Sequence, residues 1–183
     1  MLKKRFLPWL LIPVGMAAAG FAQADDGIIH FTGTVSATAC SVSSVAGSGT
    51  TAGTVDFGQI SSNTLKTAGS STAATPFTIE LTDCAVTAAP TITFKGAAVT
   101  NETYSNLFAS KVAGVGIRLE DAGQTGTYYV PGVSADNTGF AGLKENVSSA
   151  TGRFNAYLVS YNSGTPAGNI DTDVTFVIDY SNS

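Results

Sequence analysis

GIIHFTGTVSATACSV, Gly27–Val42, alternates for nine residues and then runs into a cysteine. Ile29, Phe31, Gly33 and Val35 share one face of an extended chain. Ile28, His30, Thr32 and Thr34 share the other, and a period of two is the signature of a β-strand. What precedes it gives this stretch its weight. Lys3, Lys4 and Arg5 open the chain, Phe6–Phe21 is apolar and uncharged, and Ala22-Gln23-Ala24 is followed at once by Asp25-Asp26. A basic start, an apolar middle and a small-residue A-x-A site make a secretory signal peptide, here residues 1–24. The apolar run of 16 residues is short for a membrane span, which needs about 20. Pro8, Pro13, Gly15 and Gly20 interrupt it further, which disfavours the rival reading of an uncleaved anchor. Cleavage after Ala24 leaves residues 25–39 as a strand-forming extension at a free end, ahead of a domain over residues 40–183.

Removing 24 residues leaves 159 of 183, enough for one domain with a real core. All three leader charges are basic, so six Lys/Arg then face 13 Asp/Glu, a net charge of about −7. That argues against a nucleic-acid partner, since phosphate binding needs clustered cations. The remainder is rich in Ala, Gly, Ser, Thr and Val. Its recurring β-branched and aromatic residues indicate an ordered β-protein rather than a disordered chain.

Alternation dominates the rest of the chain. It is seen at Val55 and Phe57 before a turn at Gly58, then at Phe77, Ile79 and Leu81, and at Ile92 and Phe94. It returns at Val115, Ile117 and Leu119, at Phe154, Ala156 and Leu158, and at Val174, Phe176, Ile178 and Tyr180. Spacers rich in Gly, Ser, Asn, Thr and Asp separate these runs, which predicts an all-β antiparallel sandwich or barrel. Residues 101–111 could add a helical turn. Cys40 and Cys84 allow one pairing, which an oxidising compartment favours. The loop it closes predicts roughly 4 kcal/mol of stabilisation. A metal pair or redox pair is the rival reading, but there is no C-x-x-C and no neighbouring histidine.

The search for catalysis returns little. His30 is the single histidine and sits on an alternating strand, and there is no G-x-S-x-G elbow. The chain therefore reads as non-enzymatic, with no catalytic residue, no metal site and no cofactor. Asp171 and Asp173 read as a solvated turn rather than a calcium loop. Glu120-Asp121 closes a strand and is expected to face water. Asn101-Glu-Thr103 and Asn146-Val-Ser148 read as ordinary turns. The free-end strand can pair within its own domain or add to a sheet edge on another molecule, and periodicity alone does not choose.

Taken in order, Gly27–Val42, VDFGQI (Val55–Ile60), FTIELTDC (Phe77–Cys84), VGIRLED (Val115–Asp121), RFNAYLVSY (Arg153–Tyr161) and AGNIDTDVTFVIDYSNS (Ala167–Ser183) resemble the shaft subunits of type 1 fimbriae. These belong to the chaperone–usher pathway. The resemblance implies an incomplete immunoglobulin-like β-sandwich that lacks its last strand. A periplasmic pilus chaperone first fills the gap with one of its own strands. At the outer-membrane usher, the amino-terminal extension of a neighbouring subunit then replaces it. Ile29, Phe31, Gly33 and Val35 are implied as the donor strand, and Val174, Phe176, Ile178 and Tyr180 as the last strand bordering the groove and facing the chaperone. Partners are other copies, other pilus subunits, the chaperone and the usher; the destination is a surface fimbria. A minor tip-adapter or adhesive subunit is the alternative. Members of this family commonly stop one residue after the tyrosine, whereas this chain continues with Ser181-Asn182-Ser183.

Overall fold

Alternation of apolar residues becomes strand wherever a ladder partner exists. The computed structural model describes residues 39–164 and 166–180. Nine strands follow in chain order: β1 (Ser41–Val45), β2 (Thr75–Thr82), β3 (Thr91–Lys95), β4 (Phe108–Ala109), β5 (Val115–Asp121), β6 (Tyr128–Tyr129), β7 (Ser134–Ala135), β8 (Ala150–Ser160) and β9 (Thr175–Asp179). Single 3₁₀ turns occupy Ser62–Leu65 and Glu102–Tyr104. The second is the helical turn expected within residues 101–111, and the Asn101 side chain caps it by accepting from the Thr103 N–H.

The strands form two antiparallel sheets. One has the order β1-β2-β8-β5-β4, with β6 also paired to β5; the other is β7-β3-β9. In the first, Phe77 lies opposite Phe154, and Ile117 and Leu119 lie opposite Leu158 and Ala156. In the second, Ile92 and Phe94 lie opposite Ile178 and Phe176. The sheets meet where Phe94 stands edge-on to Phe154 at 5.3 Å and to Tyr129 at 5.2 Å. Edge-to-face rings add about 0.5–1.5 kcal/mol beyond simple burial. Phe77 stacks on Phe154 at 5.1 Å. Gly152 makes room for this cluster: a Cβ there would stand 2.5 Å from the Phe140 ring.

Two expectations need revision. Val55 and Phe57 alternate but form no strand, because residues 54–60 have no ladder partner among the described residues; both side chains still pack half-buried on the core. Glu120 and Asp121 do not face water: they are 3% and 2% exposed. Strand β5 is buried on both faces except at Arg118. Its outer face lies under a second small cluster of Val99, Leu107 and Val159. Finally, β4, β6 and β7 have two residues each, too few to show a period. The donor-strand residues Ile29, Phe31, Gly33 and Val35, like the leader 1–24, lie outside the described residues.

Candidate functional site: the outer edge of β9

Among the described residues, the last strand has a neighbour strand on one side only. It ends its sheet, and among the described strands it pairs with β3 alone. Its side chains alternate without exception from Asp173 to Tyr180. Val174, Phe176, Ile178 and Tyr180 turn inward, while Asp173, Thr175, Val177 and Asp179 are exposed. None of the four inward residues is fully buried. Their neighbours on β3 show what complete coverage looks like: Ile92 is 0% and Phe94 is 3% exposed. Phe176 and Ile178 lie directly across from those two residues, yet stay half-buried. An apolar row partly in water, at the edge of the described sheet, is an aggregation hazard unless something covers it.

A cleft of about 670 Å³ lies beside the segment that precedes β9. Val55 and Phe57 border it together with residues 166–170, the segment that leads into β9. It reaches the core residues Leu65, Val112, Val115 and Leu158. Between described residues, 54–60 makes no backbone–backbone hydrogen bond; the Gly58 N–H instead donates to the Asp56 carboxylate at 2.7 Å. Two stretches of backbone thus border one gap, and an extended segment laid in that gap could bond to both. Lys111 pairs with Asp171 at 3.7 Å beside the cleft, with both side chains in solvent, where such a pair adds little.

At the other end of the row, burial pushes the Tyr180 phenol above its usual pKa, against the opposing influence of the nearby Cys40 backbone. Cys40 itself is disulfide-bonded to Cys84. The bond joins the residue before β1 to the turn after β2, whose Cys84 N–H donates to Ser148 O at 3.0 Å. The end of β9, the start of the described domain and the disulfide therefore form one cluster.

The remaining polar groups read as structural. Burial alone would raise the Glu120 pKa, but the Gly126 N–H at 2.8 Å, the Tyr157 hydroxyl at 2.6 Å, Asn155 and the Arg118 charge outweigh it and hold it below the ordinary value. The same bond pushes the Tyr157 phenol up to about 12. Asp121 accepts from the Gly123 N–H and from the Thr138 N–H and hydroxyl, clamping two loops. No group of three or more metal-ligating side chains occurs among the described residues. Sequence reasoning found the row on β9. It missed the Glu120 network and the cleft-lining segment 166–170, and neither carries a local signal.

Two antiparallel sheets with a last strand exposed along one edge define an incomplete immunoglobulin-like sandwich. The same architecture is found in solved pilus subunits. A structure of a chaperone–usher pilus matches at a TM-score of 0.60 with 22% identity, covering 86% of this chain and 96% of that one. The crystal structure of the P pilus rod subunit PapA matches at 0.60 with 21% identity, covering 78% and 99%. The chain belongs to the fimbrial protein family, whose model matches residues 29–181. It is 32% identical over 178 residues to the type-1 fimbrial protein, C chain, of Escherichia coli, an alignment that covers 93% of this chain and 92% of the relative.

Proposed function

We propose that the chain is a structural shaft subunit of a chaperone–usher fimbria, polymerised by donor-strand exchange. The observation that carries this reading is the half-buried row Val174, Phe176, Ile178 and Tyr180 on a strand that ends its sheet among the described residues. After export and removal of the leader, a periplasmic chaperone covers the row. At the outer-membrane usher, the segment Asp25–Val35 of another copy replaces the chaperone strand. Burying an Ile or Phe side chain contributes roughly 1.5–3 kcal/mol, and main-chain bonds along both borders add to that. The contact is head-to-tail and does not close on itself, so it propagates into a filament on the cell surface. The role is mechanical: no catalysis and no cofactor enter it.

The test is a gel of surface extract, unboiled against boiled. A ladder of multimers that collapses to one band on boiling is the expected result. A single monomer band in both lanes, from a protein that stays folded without a chaperone, overturns the reading.

A further inference from the structure

A filament held by strand donation pulls each copy at two places: through the extension that one neighbour holds, and at β9, where the copy holds another neighbour's segment. Tension therefore enters the described domain at Ala39 and Cys40. Two routes lead on from Cys40. One is the main chain into β1, and the other is the covalent bond to Cys84. The routes differ in strength. β1 ends the larger sheet among the described strands. Four register pairs hold it to β2, with a shift between Val42 and Ser44. Of its five residues only Ser44 is fully buried. β2 lies inside the same sheet, pairs with β8 at seven positions, and carries Ile79 and Leu81 at 0% exposure.

The bridge stands at the mouth of the β1–β2 ladder, whose first pair is Ser41 opposite Thr82. Backbone bonds fasten the same corner: the Ala85 N–H donates to the Ala39 carbonyl at 3.3 Å, and the Cys84 N–H to that of Ser148 at 3.0 Å. Ladder hydrogen bonds exchange readily for bonds to water, whereas the disulfide beside them is covalent and short, so it takes the strain first. Resting on the donor-strand reading above, we infer that the Cys40–Cys84 bond passes tension from the extension straight into β2 and leaves β1 outside the path of force. Without the bond, a pull at Cys40 falls on the outermost pair of a short edge ladder and strips β1 from β2 pair by pair. This role is separate from the bond's effect on folding. Loop closure acts through the unfolded chain, whereas the path of force depends on where the bridge stands relative to β1.

Stretching single filaments in a force microscope tests this. Wild-type filaments are assembled with the bond intact, and a portion is then reduced with a phosphine and alkylated. The chain has two cysteines, so two modified residues per copy mark complete reduction. Reducing after assembly avoids the folding loss expected of cysteine variants. In reduced filaments, each opening of a subunit is expected to begin at lower force and to add about 150 Å of chain, the extended length of the 44 positions that the bridge had kept out of the path. Reduced filaments that extend no further than oxidised ones, whether they fail by opening or by strand withdrawal, overturn the inference but leave strand donation standing. Val42→Ala separates the path of force from general stability. It weakens half-buried β1 packing and spares the bridge. Oxidised variant filaments should therefore open at the wild-type force, and reduced ones below the force of reduced wild type. An equal loss in both states overturns the bypass. A wild type with no unboiled ladder removes the underlying reading as well.

Discussion

Glu120 shows how a single side chain can depend on partners far along the chain. Its carboxylate is 3% exposed, and its partners come from residues 126, 155 and 157. A buried charge is tolerable only when it is hydrogen-bonded. Removing the Tyr157 hydroxyl in Tyr157→Phe is expected to cost about 2 kcal/mol, the range for a bond to a charged group. Thermal melting of assembled filaments would read it as a lowered transition. The pH dependence follows from the direction of the Glu120 shift. Its folded pKa is lowered, so its contribution is complete above the unfolded value of about 4.3 and is lost as the pH falls through the folded one. The difference in melting temperature between wild type and Glu120→Gln should therefore be largest near neutrality and shrink below about pH 4. A difference that stays constant down to pH 3 would contradict the assignment.

Among the elements, β9 and the disulfide act on the same end of the domain. Cys40 is bonded to Cys84, and both pack with Tyr180 against the same core. The bridge spans 44 positions, and the chain-entropy model assigns such a loop about 4 kcal/mol. An incomplete sandwich has little stability to spare, so Cys40→Ser should lower the amount of chaperone-bound subunit recovered from the periplasm several-fold. Wild-type recovery with an unchanged melting temperature would show that the bridge contributes nothing. Apart from the short segment at Val55 and Phe57, the strands read from alternation, β2, β3, β5, β8 and β9, each have five or more residues. Those missed are β1, with five residues, and β4, β6 and β7, with two each. A two-residue strand exists only because a partner lies beside it, and local sequence holds no record of that partner.

For the whole molecule, donor and acceptor functions are separable in the proposed assembly. Deleting residues 25–35 removes the donor segment and leaves the β9 edge untouched. The shortened protein should still be captured by the chaperone and still accept a strand, but it cannot supply one. Expressed alone it should give no multimer ladder, and co-expressed with the wild type it should shorten filaments in proportion to its dose, as counted by electron microscopy. Normal filaments from the deleted protein alone would defeat strand donation. Copy number separates a shaft subunit from a tip adapter, because a shaft subunit dominates purified fimbriae by mass.

Alternation and cysteine count were enough, without coordinates, to specify an all-β domain, the inward row of its last strand and the Cys40–Cys84 pair. Periodicity and pairing number are local or countable properties. Two other features were decided only by the tertiary structure. Glu120 and Asp121 are buried because residues distant in sequence fold over the end of β5. The edge of β9 is open because, among the described strands, the sheet ends there. Whether a strand has a neighbour depends on where the rest of the chain goes, and no side chain on the strand itself encodes that.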